Sequence, residues 1–313
     1  MPSNHEKVGT HKPEWLKVKL HNDPRYADVA AIVRRHDLHT ICSSGRCPNI
    51  SECWSRGTAT FMIGGDTCTR ACRFCATKSS AHPAPLDPNE PIKIARSVQL
   101  MGLRHAVITS VDRDDLPDGG AEHWAQTVRA IRELNPETTI ELLIPDFSGD
   151  TSLLDTVLAA DADIVGHNLE TVRRLTPTVR DRRASYDTSL GVLRHIAAYG
   201  QAHGEPNLAK SAIMVGLGET RDEVLQTLDD LAAAGVRRMT LGQYLQPTPH
   251  HYPVAEYIHP DRFAEYKTAA EERGIIHTES GPLVRSSYMA DRLAPKARRP
   301  LASLTPDKER RQP

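Results

Sequence analysis

From Ala59 onward the chain alternates six times between a short apolar run and a longer amphipathic stretch, and this alternation restricts the fold more than any other feature. The apolar runs at 60–64, 105–110, 139–144, 163–167, 210–215 and 238–244 read as strands. The stretches at 91–101, 122–134, 152–160, 188–199, 221–234 and 261–273 read as helices. Six βα units in succession predict a parallel sheet with helices outside it. Right-handed crossovers curl such units into a partial (β/α)6 TIM-like barrel, the expected form of this α/β chain. A flat doubly wound sheet is the alternative, and periodicity alone does not separate the two.

The flanks differ. Residues 1–58 are polar and irregular, apart from Val29, Ala30, Ile32 and Val33 at helical spacing within 26–36, and the tail at 295–313 is rich in proline and charge, as a solvated end would be. The expected division is an N-terminal extension at 1–58, a barrel at 59–280 and a C-terminal segment at 281–313. In parallel α/β folds ligands sit beyond the carboxyl ends of the strands. The residues there are Asp112 and Arg113, Asp146, Asn168 and Glu170, Gly216–Glu219, and Gln243 with Tyr244. Polar residues at loop starts are also ordinary, so this pattern alone does not define a site.

A formal net charge of -1 gives no reason to expect a nucleic-acid binder, since such binders concentrate positive charge on one face. The first twenty residues hold no apolar signal core, and no stretch is long and apolar enough for a membrane span. A cytoplasmic protein in a reducing compartment is expected. That bears on the cysteines.

All six cysteines lie between residues 42 and 75, as two triplets: Cys42, Cys47 and Cys53, then Cys68, Cys72 and Cys75. Disulfides suit small secreted domains, and structural zinc takes four ligands, usually in C-x2-C pairs. Two triplets fit iron–sulfur ligation better, because three thiolates on a four-iron cluster leave one iron open to a substrate or cofactor. The second triplet, C-x3-C-x2-C with Phe74 before its last cysteine, follows the first predicted strand and so lies at its carboxyl end. His250 and His251 could ligate metal, but their setting, Pro-Thr-Pro-His-His-Tyr-Pro, reads more readily as a polar loop; His167 reads as a packing residue.

The second triplet resembles the cluster motif of the radical S-adenosylmethionine (SAM) superfamily. The segments around it resemble the lipoyl synthases: Cys47-Pro-Asn-Ile-Ser-Glu-Cys53-Trp, Phe61 through Cys75, Ser110 through Gly120, Glu141-Leu-Leu-Ile-Pro-Asp146 and His167-Asn-Leu-Glu-Thr171. Further on come Gly216-Leu-Gly-Glu-Thr220, Gly242-Gln-Tyr-Leu-Gln-Pro247 and Gly281 through Tyr288. The likeness runs from Lys12 to about Asp291, with small departures at Ser43-Ser44 and in the 78–84 loop.

The resemblance implies two [4Fe-4S] clusters and SAM. Cys68, Cys72 and Cys75 would hold the cluster that cleaves SAM to methionine and a 5′-deoxyadenosyl radical. Cys42, Cys47, Cys53 and Ser287 would hold an auxiliary cluster that donates sulfur. The implied reaction inserts sulfur at C6 and C8 of an octanoyl-lysine on a lipoyl domain or glycine-cleavage H protein. It would draw on an electron donor such as flavodoxin or ferredoxin, and on an iron–sulfur carrier for repair. For SAM the resemblance and the strand ends together point to Thr109, Ser110, Asp112, Asn168, Glu170, Gly216, Gly218 and Glu219, and for the substrate or auxiliary cluster to Arg285. The rivals are another radical SAM sulfur-inserting enzyme and a non-catalytic iron–sulfur carrier.

Overall fold

The computed structural model describes residues 12–17, 27, 30, 31, 40, 49–55 and 58–287. Most of the helical candidate at 26–36, together with Cys42 and Cys47, lies outside the described residues. Seven strands form one sheet: β1 Thr58–Ile63, β2 His105–Ser110, β3 Thr139–Leu143, β4 Ile164–Gly166, β5 Ala209–Val215, β6 Arg238–Gln243 and β7 His277–Gly281. Each pairs in parallel with its neighbour in sequence. A doubly wound sheet reverses its strand order at a switch point. This sheet never does, so the chain curls in one direction as a partial barrel, with no pairing of β7 to β1.

The connections are α1 Glu90–Leu100, α2 Ala121–Leu134, α3 Thr151–Leu158, α4 Tyr186–Ala202, α5 Arg221–Ala233 and α6 Pro260–Glu272, one after each of the first six strands. Their buried positions fall at helical spacing, as in α2, where Trp124, Val128 and Ile131 pack inward. Burying such a side chain stabilises the fold by about 1.5–3 kcal/mol before entropy is counted. Helix starts are fixed locally. Asp150 and Ser185 accept from backbone N–H groups at the starts of α3 and α4, and Thr220 with Glu223 forms a reciprocal capping box on α5.

The seventh strand was not expected, because its sequence, His-Thr-Glu-Ser-Gly, holds no apolar run. It forms because β6 offers a free edge, which it pairs from Arg238↔His277 to Gly242↔Gly281. The segment after β7 then turns back over the barrel mouth, where Val284 reaches Gly242. A Cβ at Gly242 would stand 2.1 Å from the Val284 carbonyl oxygen, so a side chain there would displace the segment. At the other flank, Thr40 bridges antiparallel to Phe61 of β1. The short helix Ile50–Ser55 buries Trp54 against the core.

Candidate active site

The barrel mouth encloses a cavity of about 330 Å³ at the carboxyl ends of the strands. It is lined by Cys68, Cys72 and Cys75 and, from the other end of the chain, by Ser286 and Ser287. Of the residues read as SAM contacts, Thr109, Ser110, Asp112, Asn168 and Glu170 line it too. Gly216, Gly218, Glu219 and Arg285 do not border this cavity.

The loop carrying the three cysteines is fastened from three sides. After β2, the Thr69 backbone N–H donates to the Asp112 carbonyl at 3.0 Å, and the Thr69 hydroxyl donates to Asp114 at 2.7 Å. After β4, Val179 accepts from Arg73 N–H at 2.9 Å, and the Asp181 carboxylate accepts from Ala71 N–H at 2.9 Å. After β6, Tyr252 N–H donates to the Arg73 carbonyl at 2.8 Å, and His251 Nε2 lies 3.0 Å from the Cys75 carbonyl. His251 Nδ1 faces the Thr248 hydroxyl at 2.8 Å, so both ring nitrogens are engaged and the histidine braces the loop.

Arg70 sits at the centre of this loop, and sequence reading passed over it as a spacer between cysteines. Its guanidinium donates two bonds of 2.7 Å to Asp146 and others to Asp114 at 2.8 and 3.0 Å, with Asp112 at 3.4 Å. Arg70 is only 4% exposed and Asp146 is fully buried. Burial raises the Asp146 and Asp114 carboxyls, but the bonds to Arg70 outweigh it and leave both below the usual range. Asp112 is different: burial, with only partial relief from Arg70, raises it.

Two of the three sulfurs are met by backbone donors. Cys68 Sγ accepts from the N–H groups of Asp112 at 3.2 Å and Arg70 at 3.4 Å, and Cys72 Sγ accepts from Asp181 N–H at 3.2 Å. Burial pushes both free thiols up to about 12. They would not ionise alone near neutral pH; bound iron would supply the positive charge, and the N–H donors would then support thiolates. Three cysteines on one cavity, two of them met by such donors, fit a cluster with one open iron.

Glu170 is one of the few non-glycine residues with left-handed backbone, φ 68°, and its carboxylate accepts from Asn168 Nδ2 at 3.1 Å. Burial raises its carboxyl, with Arg180 opposing. His167 is fixed as a packing residue: its ring contacts the Ile144 carbonyl and Ser189 Oγ, both at 2.9 Å, and burial lowers it to about 4. In the glycine-bearing turn after β5, the Glu219 carboxylate accepts from the N–H groups of Gly216 and Leu217, which closes the turn on itself. Gly216 has φ +93°, and a Cβ there would meet the Gln243 side chain at 2.2 Å. Gln243 in turn bonds Val215, Tyr244, Glu256 and Ile258, holding the β5 and β6 loops together.

Deeper in the barrel, Lys210 Nζ donates to Glu141 Oε1 at 2.5 Å, with both side chains at most 4% exposed and both lining the cavity. Burial raises the Glu141 carboxyl, but Lys210 and His105 outweigh it and hold it down to about 2. A carboxyl depressed in the folded state stabilises fully above its unfolded value of 4.5, and this contribution is lost as pH falls through about 2. Glu141→Gln is therefore expected to destabilise the chain near neutral pH. The deficit should narrow as pH is lowered from about 5 toward about 2, as read by urea denaturation at each pH.

The auxiliary-side residues are partly in view. Cys53 lies in Ile50–Ser55 and packs against the core. Asn49, just before that helix, donates through Nδ2 to the Leu283 carbonyl at 2.6 Å. The N-terminal cysteine segment is thereby tied to the segment that carries Ser287, across 234 residues of sequence.

A partial parallel barrel whose first strand leads into a three-thiol loop at its mouth is the architecture of a radical SAM enzyme. The profile of the Radical SAM superfamily matches residues 62–231. Known crystal structures agree at the level of the fold. Methylornithine synthase (PylB) superposes with a TM-score of 0.51 at 12% identity, covering 94% of this chain and 86% of that one. HydG, a maturase of the [FeFe]-hydrogenase, gives 0.52 at 11% identity, covering 81% and 62%.

Sequence relatives are far nearer. The lipoyl synthase of Bacteroides thetaiotaomicron is 59% identical over 281 residues, 90% of this chain and 97% of that protein. The lipoyl synthases of Parabacteroides distasonis and Flavobacterium johnsoniae are 56% and 53% identical, over 90% and 92% of this chain and 97% of each relative. The chain belongs to the lipoyl synthase family of the radical SAM superfamily, and is a sulfurtransferase that uses a four-iron cluster and SAM. No helix among the described residues is long and apolar enough to cross a membrane.

Proposed function

We propose that the chain converts a lysine-bound octanoyl group on a lipoyl domain or H protein into a lipoyl group, with sulfur taken from a second, auxiliary cluster. The observation that carries this reading is the meeting of Cys68, Cys72 and Cys75 with Ser286 and Ser287 in one cavity. Radical generation and sulfur donation then face a common space. In this reading 1–58 carries the auxiliary cysteines, 59–280 the radical machinery and 281–313 the serine that completes the auxiliary set.

When bound, the SAM cluster supplies the electron that releases a 5′-deoxyadenosyl radical. The chain's own residues do the rest. Cys68, Cys72 and Cys75 would hold the cluster, and the N–H groups of Asp112, Arg70 and Asp181 would steady the Cys68 and Cys72 thiolates. Glu170 and Asn168 present polar atoms that suit SAM's ribose hydroxyls, and Thr109, Ser110 and Asp112 suit its methionine end. Gly216, Gly218 and Glu219 shape the β5 turn at the edge of the adenine position. Ser287 would be the oxygen ligand beside Cys42, Cys47 and Cys53, and Arg285 would position that segment. An electron carrier such as flavodoxin or ferredoxin and an iron–sulfur carrier for cluster repair follow as partners.

The test is conversion of an octanoyl-lysine peptide to lipoyl-lysine by anaerobically reconstituted, reduced protein. Hydrogen abstraction with no sulfur in the product would remove the lipoyl reading and leave only radical SAM chemistry. Position 242 gives a further handle. Gly242→Ala is expected to push the Val284 carbonyl away and shift Ser287. Sulfur insertion should then fall on the order of tenfold or more, while deoxyadenosine formation falls less, as measured by product mass and nucleoside yield together.

A further inference from the structure

The Glu141–Lys210 pair has no part in cluster binding, yet it sits where parallel barrels place layers of branched apolar side chains. Lys210 on β5 spans β4, where its register partner Gly166 has no side chain, and reaches Glu141 on β3. His105 on β2 completes the group, its Nε2 3.4 Å from Glu141 Oε2 without hydrogen-bond geometry. Glu141 Oε2 and both ring nitrogens of His105 have no hydrogen-bond partner. A buried ion pair gives little net stability over apolar residues of similar volume. Its place at the cavity surface calls for another explanation.

Around this group, the cavity walls include Met62, Val107 and Leu143. Val107 stands in register with both Thr60 and Glu141, so the apolar wall ends at the charged floor. An acyl chain whose reacting carbons are C6 and C8 has its methyl end at the reaction centre, because C8 is that end. A longer chain must extend past the reaction centre toward whatever lies beneath. Here that is the Glu141–Lys210 pair, already withdrawn from water and packed beside His105, which a longer chain would have to displace.

We propose that the Glu141–Lys210 pair is a chain-length stop, the floor that fits the barrel to an eight-carbon acyl group and excludes longer ones. This rests on the octanoyl reading above, and specifies the residues that set the length.

The test compares hexanoyl-, octanoyl- and decanoyl-lysine peptides on anaerobically reconstituted enzyme. Binding is read by fluorescence anisotropy, and coupling by peptide-dependent deoxyadenosine formation. Wild-type protein is expected to bind the octanoyl peptide more tightly than the decanoyl one. In Glu141→Ala with Lys210→Ala, which removes both charges and opens room beneath the chain, the decanoyl peptide should gain on the order of tenfold relative to the octanoyl one, about the worth of two further buried methylenes. Val107→Phe, which adds bulk beside Glu141 at the level of the floor, should shift preference the other way, toward the hexanoyl peptide.

An unchanged length profile in both variants overturns the proposal, as does a wild type that does not discriminate between octanoyl and decanoyl peptides. If the double variant does not fold, Val107→Phe decides alone. A wild type that makes lipoyl-lysine while its variants keep the same profile refutes the floor and spares the function. A wild type that neither binds nor converts any acyl peptide refutes the function itself.

Discussion

Replacing any one of Cys68, Cys72 or Cys75 with alanine is expected to reduce SAM cleavage to background, on the order of a thousandfold or more. The three thiols line one cavity, and their loop is held by residues after β2, β4 and β6, so no neighbour can take a lost cysteine's place. Reconstituted protein should hold about eight irons, and these variants about four. Cys42, Cys47 or Cys53 replaced by alanine should lose a similar share of iron but retain part of the cleavage. Cleavage abolished by both sets would show that the division of labour between triplets is wrong.

The second large effect is expected at Arg70. Arg70→Ala leaves the buried Asp146 carboxylate without its cation and removes one of the two that face Asp114, the other being Arg183 at 3.2 Å. Removing one partner of a buried pair costs about 3–5 kcal/mol, to be read by urea denaturation of cluster-free protein. Arg70→Lys should recover only part of this, because an ammonium cannot make the paired bonds that the planar guanidinium makes to Asp146. The carboxylates are lowered in the folded state, so the wild-type advantage is full above the unfolded carboxylate range and is lost as pH falls. The same network reaches the cysteine loop, so the variant should also take up less iron.

Much of this was legible in the sequence because it is local. Apolar runs and amphipathic stretches gave six strands and six helices close to their observed bounds, even where β4 is reduced to Ile164–Gly166. The cysteine triplet at the end of β1 and the polar residues after β2, β3 and β4 needed only the rule that ligands gather at strand ends. What escaped depends on pairing across distance. β7 is polar and exists through the edge of β6. Arg70 gains its meaning from carboxylates 44 and 76 residues away. Glu141 and Lys210 left a signal that could have been used: each is a lone charge inside an apolar run, and two opposite charges buried in neighbouring parts of one sheet ought to meet. Asn49 and Leu283 left none, since a side-chain amide and a backbone carbonyl so far apart carry no mark of each other.

The most direct test is a single turnover in which the clusters are rebuilt with heavy-isotope sulfide and the octanoyl-lysine peptide is added with SAM and reductant. Both sulfur atoms of the lipoyl product are expected to carry the label in wild-type protein. Protein with Cys53→Ala or Ser287→Ala should form deoxyadenosine but little labelled product. A lipoyl product with unlabelled sulfur would contradict the account, and so would full sulfur insertion without Cys53.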